Sequence, residues 1–492
     1  MKDLKEKTIR GGLARISAQA ASFLLRIGSL MILARQLSPV DFGLVGMATA
    51  FTGILSLFRD FGLGAAAVQR SDVTDEQISN LFWVNVVFGV VLALMTAALA
   101  PAVVAFYHEP RLLWVTVILA FGFFCNALGV QHSAFLQRQM RFTALSVVNV
   151  VALAVSSVVA IVLAGAGYGY WALVAMTVLL PVALTIGVWV AAAWIPRLPK
   201  KGVGLRSMIH FGGTITLNSV VVYFAYNLEK ALLGRYWGAD AIGIYGRAYQ
   251  LVNVPTDNLN SAVGEVAFSA LSRIQDDPQR LRSYFLKGYS LILSLTIPAS
   301  FFCALYAPNL ISILLGAKWK EVVPIFRLLA PTIAVFAMIN PFSWLLFAIG
   351  KIARSLKIAF VIAPLVITGY VLGLPYGPRG VAFGYSVAMM LWLFPHIAWC
   401  VHGTAISVMD VMRTLLPPLM SGCAAALLSF PVELLSVYRL PVLLRLAAEI
   451  SVFAAVYLSV LLFVMEQKIL FMNLVDAFRR RPLSEGSAVS VV

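Results

Sequence analysis

The sequence predicts an all-α protein that crosses a lipid bilayer about fourteen times. Of the 492 residues, 61% are hydrophobic and only 12% are charged, and the mean hydropathy is +0.90. A soluble protein carries about 25% charged residues to cover its surface, so much of the apolar surface here must face lipid. Apolar stretches of about 20 residues, long enough to span the hydrocarbon, fill the chain almost end to end.

The predicted spans are separated by short polar segments rich in Pro, Gly and Asp. They cover residues 13–34, 41–66, 80–106, 112–135, 143–166, 169–195, 207–233, 239–269, 284–315, 321–349, 354–374, 378–401, 410–430 and 441–466. Typical separators are Ser38-Pro39, the linker Pro196 to Gly204, and Asp276-Asp277-Pro278. The segments between spans are too short to form a sizeable soluble domain.

The distribution of basic residues predicts the orientation. One set of loops, which includes both termini, carries about three times as many Lys and Arg residues as the other set. Cytoplasmic loops hold this excess, so both termini are predicted in the cytoplasm of a bacterium, with the spans in its inner membrane. After the last span, Lys468 to Arg481 fits either an amphipathic interfacial helix or a plain cytoplasmic tail.

An internal repeat recurs at an offset of 200 residues. The segment Asp41 to Ala48 matches Ala241 to Ala248, and Leu33-Ala34-Arg35 matches Leu233-Gly234-Arg235. A second echo pairs Gly167 to Ala172 with Gly377 to Ala382. Six spans separate the copies, which predicts parallel repeats related by a pseudo-twofold axis along the membrane normal. Glycines at 43, 46, 243 and 246 allow close helix approach.

The repeat sets the predicted domains. Residues 1–200 form an N-terminal six-helix bundle and residues 201–402 a C-terminal six-helix bundle. Residues 403–467 add two transmembrane helices, and residues 468–492 form the cytoplasmic tail.

The sequence lacks the signatures of several other functional classes. The net charge of +16 is explained by cytoplasmic loops that lie against anionic lipid. The sequence lacks a basic face interleaved with aromatic residues, which is the pattern that indicates nucleic-acid binding. The cysteines lie in apolar spans without CxxC pairs, and HExxH, GxSxG and membrane-facing Asp-x-Asp are absent from the sequence. The sequence therefore predicts no enzyme, no metal site and no cofactor.

Several motifs resemble a known family. Arg35-x-Leu37-Ser38-Pro39-x-Asp41-Phe42-Gly43 and Asp60-Phe61-Gly62-Leu63-Gly64 are similar to the opening of Wzx-type polysaccharide flippases. Gly243-x-Tyr245-x-x-Ala248, Leu315-Gly316-x-x-Trp319 and the run from Val323 to Ala330 extend the match over about residues 1–400. The resemblance is strongest to the WzxC-like branch of the MATE/oligosaccharidyl-lipid/polysaccharide exporter superfamily.

The resemblance implies a function without bond chemistry. Family members move polyprenyl-pyrophosphate-linked oligosaccharide from the cytoplasmic to the periplasmic leaflet, for exopolysaccharide, capsule or O-antigen assembly. Two six-helix bundles enclose a cavity that opens alternately to either side. The implied partners are this lipid-linked cargo, the bilayer, and a polysaccharide polymerase with its export machinery. A drug or cation exporter, a lipid II exporter and a membrane polysaccharide polymerase are the alternatives.

A pyrophosphate inside the membrane needs cations, because an unpaired charge at low dielectric is costly. Ionisable residues within spans are functional candidates by default. The predicted cavity cations are Arg26, Arg247, Arg15, Lys230 and Arg327. Snorkelling to headgroups is an equal alternative for Arg15, and local pairing with Glu321 or capping is one for Arg327.

Polar and acidic residues within the spans complete the predicted site. Contacts to sugar or to a coupling ion are predicted for Asn85, Asn218, Asn227, Glu229, Asp257 and Glu265. Trp83, Trp171, Trp237 and Trp319 lie near span ends, where the interfacial aromatic belt explains them first.

Overall fold

The computed structural model describes residues 2–58, 74–200, 206–436 and 441–468, although not every side chain within those ranges. All regular elements within them are helices, which confirms the all-α prediction. The first half of the chain contains α1 (Lys2–Gln36), α2 (Pro39–Ser56), α3 (Asp75–Tyr107), α4 (Leu112–Arg138), α5 (Phe142–Gly165), α6 (Tyr170–Ala192) and α7 (Arg206–Arg273).

The second half continues with eight further helices among the described residues. They are α8 (Pro278–Leu305), α9 (Ala307–Leu314), α10 (Val322–Leu329), α11 (Pro331–Ala348), α12 (Ile352–Gly373), α13 (Gly377–Val401), α14 (Val408–Ser436) and α15 (Val442–Ser459). Short 3₁₀ turns lie at Ala317–Trp319 and Leu374–Tyr376, and α15 runs into a π-helical turn at Val460–Val464.

The polar separators read from the sequence act as helix caps. Ser38 and Asp41 form a reciprocal capping box at the start of α2, with Pro39 in the first turn. The Asp277 side chain accepts the backbone N–H of Arg280 at the start of α8. These side chains satisfy N–H groups that have no partner within the helix, so the helix starts are fixed locally.

Eleven segments of the described chain are long and apolar enough to cross a membrane. One of them, Ala353–Val401, contains α12 and α13 with a 3₁₀ turn between them. The 68-residue α7 is not among the eleven, and it is broken at Gly238, between the predicted spans 207–233 and 239–269. The polytopic helical architecture is confirmed, while the number fourteen and the bundle axis stay predictions.

The chain divides into two compact units. Unit 1 comprises Met1–Leu251, Ile311–Leu329 and Leu356–Met389, and unit 2 comprises Val252–Leu310, Ala330–Ser355 and Met390–Val492. This division follows contacts rather than the repeat, and the predicted boundaries at 200, 402 and 467 stay a prediction.

Unit 1 is held together by close helix pairs at small residues. Its main pairs are α3 with α4, α4 with α6, α5 with α6, and α1 with α5. A Cβ placed on Gly89 of α3 would lie 2.3 Å from the Ala127 Cβ of α4. A Cβ on Gly187 of α6 would lie 2.6 Å from Val148 of α5. Without glycine these backbones would separate, so small residues set the helix spacing, as is usual in membranes.

Unit 2 contains the additional C-terminal helices. In it α8 packs on α11 and α14, and α14 packs on α15. The buried cluster of Tyr306, Ala425, Phe453, Tyr457 and Leu461 joins these helices. The Tyr457 hydroxyl donates to the Ser294 carbonyl at 2.9 Å, so α15 is docked on α8 by a polar contact as well as by packing.

Candidate functional site in the interior of unit 1

The candidate site is built on α7, whose backbone breaks at Gly238. There φ is 80° and ψ is −173°, a conformation that glycine adopts most easily. The first arm of α7 carries Asn227, Glu229 and Lys230, and the second arm carries Arg247. One broken helix therefore presents four predicted site residues whose side chains are described.

Glu229 is a completely buried acid whose side chain has no hydrogen-bond partner among the described residues. Its exposure is 0%, and neither carboxylate oxygen meets a donor among the residues that the structure describes. Adjacent helical side chains point about 100° apart, so Lys230 turns away and its Nζ donates to Asn227 Oδ1 at 2.7 Å. Burying an unpaired polar group is costly, so the position of Glu229 needs a reason other than local pairing.

Buried tyrosines lie around the Glu229 carboxyl group. Tyr223, Tyr245 and Tyr370 are near enough to interact with it electrostatically. Tyr245 and Tyr370 are completely buried, and their hydroxyl groups also lack hydrogen-bond partners within the described residues. The Glu229 carboxyl and the hydroxyl groups of Tyr245 and Tyr370 thus lie in one region between α7 and α12, and none of them has a hydrogen-bond partner among the described residues.

Further ring contacts link these tyrosines into a row. The rings of Tyr245 and Tyr249 stack with centroids 6.1 Å apart, and Tyr249 meets Tyr385 edge-on at 6.0 Å. Tyr385 stacks on Tyr370 at 5.6 Å. The row connects the second arm of α7 to α12 and α13, and sequence reasoning missed it. The spacing of Tyr245 and Tyr249, one helical turn apart, was the available signal.

Arg247 is a half-buried cation held by an aromatic ring. Its guanidinium carbon lies 4.6 Å from the centroid of the Phe42 ring, within the range of a cation–π interaction. The Arg247 Nε atom is buried and has no hydrogen-bond partner in the described part of the chain. The ring orients the guanidinium, and a donor remains for an anionic ligand.

The two copies of the repeat contact each other reciprocally beside Arg247. A Cβ on Gly43 would lie 1.7 Å from the Ala239 carbonyl oxygen, and a Cβ on Gly243 would lie 1.9 Å from the Pro39 carbonyl oxygen. Both partners are related by the offset of 200 residues. We call this contact between the start of α2 and the second arm of α7 the glycine seam, and its glycines are there because only a hydrogen fits.

The second echo of the repeat has matching backbone geometry. Gly167 has a φ of 85° and Gly377 a φ of 70°, so both glycines, one just before α6 and one at the first residue of α13, have the positive φ that favours glycine. Ala172 and Ala382, equivalent in the repeat, are both 0% exposed. These shared features are what a duplicated segment predicts.

The remaining predicted residues are spread over several helices. Arg26 is exposed on α1 and Arg327 on α10. Asn85 on α3 is completely buried, with neither amide atom hydrogen-bonded to a described residue. The side chains of Arg15, Asn218, Asp257 and Glu265 lie outside the described residues. The structure therefore joins Lys230 to Asn227 beside Glu229, but it places neither Arg26 nor Asn85 in that cluster.

Two aromatic and polar features differ from the sequence interpretation. Trp319 is 1% exposed rather than interfacial, because its indole Nε1 donates to the Ala34 carbonyl at 2.8 Å. Sequence reasoning also missed Glu449 in α15, which is completely buried. Its carboxylate accepts hydrogen bonds from Asn309 and Arg445. The spacing of Arg445 and Glu449, four residues apart, was the available signal.

The interior of unit 1 brings together groups that can bind charge. Arg247 supplies a donor for an anion, and the Glu229 carboxyl with its tyrosines supplies groups that bind a proton, a cation or a hydroxyl. Among the described residues, no group of three or more His, Cys, Asp and Glu side chains is placed to hold a metal ion.

Comparison with solved structures identifies the fold. Lipid II flippase MurJ in an inward closed conformation matches with a TM-score of 0.74 at 14% identity, covering 95% of this chain and 100% of that chain. An inward-facing multidrug resistance MATE family transporter of the MOP superfamily matches with a TM-score of 0.62 at 16% identity, covering 82% and 98%. At these identities the likeness shows the fold alone.

Sequence comparison adds relatives from polysaccharide pathways. Lipopolysaccharide biosynthesis protein WzxC of Escherichia coli (strain K12) is 26% identical over 401 residues, 79% of this chain and 80% of that protein. Teichuronic acid biosynthesis protein TuaB of Bacillus subtilis (strain 168) is 29% identical over 305 residues, 61% and 62%. Succinoglycan biosynthesis transport protein ExoT of Rhizobium meliloti (strain 1021) is 23% identical over 378 residues, 77% and 75%.

A family model extends these pairwise matches. The model described as "Polysaccharide biosynthesis protein" matches residues 32–324, more than half of the chain. That range includes the glycine seam, Glu229 and Arg247. The chain belongs to this family of polysaccharide biosynthesis proteins.

Proposed function

We propose that the protein is a flippase that moves polyprenyl-pyrophosphate-linked oligosaccharide units from the cytoplasmic to the periplasmic leaflet of the bacterial inner membrane. Family membership and relatives named for lipopolysaccharide, teichuronic acid and succinoglycan biosynthesis support the pathway class. No bond is made or broken in this function. Both termini face the cytoplasm, and a polymerase with export machinery receives the cargo.

The observation that supports the cargo assignment is the incomplete pairing of the Arg247 guanidinium. A cation in an apolar interior is costly unless an anion or an aromatic face compensates it. Phe42 compensates part of the cost from one side, and the unpartnered Nε remains available. A pyrophosphate supplies the missing charge and the missing acceptors.

We place Arg26 and Arg247 on a path for the diphosphate, with Lys230, Arg327 and Arg15 as further cations. The amides of Asn85, Asn218 and Asn227 contact sugar hydroxyls along it. The acids Glu229, Asp257 and Glu265 respond to a coupling ion. The polyprenyl tail stays in lipid, so only a lateral opening is needed for it.

Alternating access would operate at the glycine seam. The seam joins the two repeat copies on the side that the sequence predicts to be periplasmic, so its contact corresponds to a state closed on that side. Opening would separate Gly43 from Ala239 and Gly243 from Pro39. Because both contacts are backbone to backbone, the closed state needs a hydrogen at both positions.

The proposal is tested by a charge series in cells that depend on this chain for polysaccharide export. Arg26→Ala and Arg247→Ala are expected to abolish export at a normal protein level in the membrane. Lysine at either position restores part of the export, because charge survives while the guanidinium fork is lost. Glutamine keeps hydrogen bonding without charge and fails.

The matched control is Arg379→Gln, which removes an exposed arginine that is outside the proposed path and leaves export normal. Normal export by Arg26→Gln would show that Arg26 does not recognise charge. Normal export by both glutamine variants would show that these two arginines do not recognise an anionic cargo. If the chain instead confers resistance to cationic compounds, the result would indicate a drug or cation exporter.

A further inference from the structure

The connection between α6 and α7 contains a segment with a three-residue pattern. Residues 194–200, here called the strap, read Trp-Ile-Pro-Arg-Leu-Pro-Lys and contain no helix or strand. Pro196 and Pro199 restrict themselves and the residues before them to extended conformations. Polyproline II structure has three residues per turn, so Trp194, Arg197 and Lys200 fall on one face, and Ile195 and Leu198 on another.

The backbone of the strap is hydrogen-bonded to α3 and α4 at every third residue. The carbonyl of Trp194 lies 3.1 Å from His132 Nε2. The backbone of Arg197 donates to Ser79 Oγ at 3.1 Å and accepts from Trp83 Nε1 at 2.9 Å.

The amide of Asn80 fixes the end of the strap. Asn80 Nδ2 donates to the Lys200 carbonyl at 2.6 Å, and the Lys200 N–H donates to Asn80 Oδ1 at 2.9 Å. Asn80 is 7% exposed. The Lys200 side chain also pairs with Glu76. These contacts all lie within unit 1, so the strap is an ordered part of it rather than a loose linker.

The second face of the strap is apolar and uncovered. Ile195 and Leu198 are each 80% exposed, although α3 and α4 hold the backbone between them in place. The flanking cations are exposed as well, with the Lys200 side chain at 60%. An ordered segment that displays apolar side chains between cations is the pattern of an interfacial anchor.

The position of the strap indicates what covers this face. It follows the end of α6 and runs along the first turns of α3, and both helices are candidate membrane spans. Trp194 of the strap and Trp189 pack against His132, and Trp83 joins them through Phe82. Tryptophan is enriched at the membrane–water interface, so this cluster indicates a position for the strap where headgroups meet acyl chains.

We propose that the strap binds anionic phospholipid in the leaflet on its side of the membrane, which the sequence predicts to be cytoplasmic. Ile195 and Leu198 enter the acyl boundary and Arg197 binds headgroup phosphate. Lys200, whose ammonium has three donors, shares them between Glu76 and the phosphate. The site is separate from the proposed cargo path, and it does not depend on which cargo the protein moves. It would hold the start of the connection between the two predicted bundles at the membrane surface.

The test uses the full-length protein in vesicles of phosphatidylcholine alone and of phosphatidylcholine with phosphatidylglycerol. A spin label at Leu198→Cys reports collisions with oxygen, which partitions into lipid, and with a nickel chelate, which stays in water. The unsubstituted chain gives the background from its own cysteines. The matched control is a label at Asp276→Cys, in an exposed turn predicted on the same side.

The expected result is that oxygen collisions dominate at residue 198 and nickel collisions at residue 276. Adding phosphatidylglycerol should immobilise the label at 198 further. The double variant Arg197→Gln and Lys200→Gln should lose this response, while Arg280→Gln with Lys287→Gln, which removes two exposed cations elsewhere, should keep it. Asn80→Ala should release the label into faster motion.

Three outcomes would overturn the proposal. Nickel collisions that dominate at residue 198 would place the strap in water. Shielding from both reagents would indicate a protein partner instead of lipid. A label that lies in lipid but shows no response to phosphatidylglycerol would remove the headgroup site.

Discussion

Two completely buried glutamates illustrate how the two units differ. Glu229 in unit 1 meets no donor in the described residues, whereas Glu449 in unit 2 accepts two hydrogen bonds from Asn309 Nδ2 at 2.8 Å and one from Arg445 Nε at 3.0 Å. Both have 0% exposure. Because a buried charge is tolerated structurally only when it is paired, we expect the pair at Glu449 to serve stability and propose that Glu229, without such a pair among the described residues, serves function.

The same contrast extends to the cations of the two units. Arg445 in unit 2 is neutralised by Glu449 one turn away, while Arg247 in unit 1 has only the face of Phe42 and an Nε without a partner among the described residues. Unpaired interior groups are retained where a ligand or a proton completes them. The comparison therefore predicts that substitutions in unit 1 change transport, and that substitutions at the Glu449 pair change stability.

The largest expected effect is at the glycine seam of unit 1. Gly43→Ala and Gly243→Ala each place a Cβ within 2 Å of a backbone carbonyl oxygen, which side-chain movement cannot relieve. Transport should fall to background, because the closed seam cannot form around a methyl group. Gly246→Ala is the control, because nothing lies within 4 Å of its Cβ. Normal transport by Gly43→Ala would show that the seam does not close during the cycle.

The next effect in size is on the stability of unit 2. Glu449→Ala leaves Arg445 and Asn309 without their acceptor, and breaking a buried pair costs about 3–5 kcal/mol. Denaturant unfolding in detergent should show this loss, while the folded fraction transports normally. The control Glu109→Ala removes a more exposed pair with Arg111 and should cost less than about 1 kcal/mol. Equal costs would mean that burial does not distinguish the pairs.

Arg247→Gln should separate transport from stability. A charge-assisted hydrogen bond contributes about 1.5–3 kcal/mol, which corresponds to about a 10- to 150-fold loss in cargo affinity. Among the described residues Nε has no hydrogen bond to lose, so the unfolding midpoint should hardly move. A lower midpoint with unchanged cargo affinity would assign Arg247 to packing against Phe42.

The smallest expected change is in the stability of Glu229→Gln. The carboxyl has no hydrogen bond to a described residue to lose, so the free energy of unfolding should change by less than about 1 kcal/mol. Transport should nevertheless fall, since the amide introduced at this position cannot gain or lose a proton as a carboxyl does. Unchanged transport would place Glu229 with the structural residues and end its contrast with Glu449.

Local features of the fold were predictable because their causes are local. Ser38-Pro39 and Asp277-Pro278 mark helix starts through capping, and the repeat identified the glycines of the seam. The surroundings of Glu229 were not predictable, since Tyr370 comes from a distant helix. Likewise Asn309 and Glu449 are 140 residues apart. The burial of Trp319 was not predictable either, because its hydrogen-bond partner, the Ala34 carbonyl, is brought to it by tertiary packing alone.

The most direct test is flipping of a purified polyprenyl-pyrophosphate-linked oligosaccharide in vesicles that contain only this protein. Movement is measured by access of an impermeant sugar-modifying enzyme to the cargo. We expect the native chain to move the cargo, and we expect Arg247→Gln to slow the movement at subsaturating cargo by about 10- to 150-fold. Failure of the native chain to move it, or equal movement of a polyprenyl-linked sugar that lacks the pyrophosphate, would contradict the account.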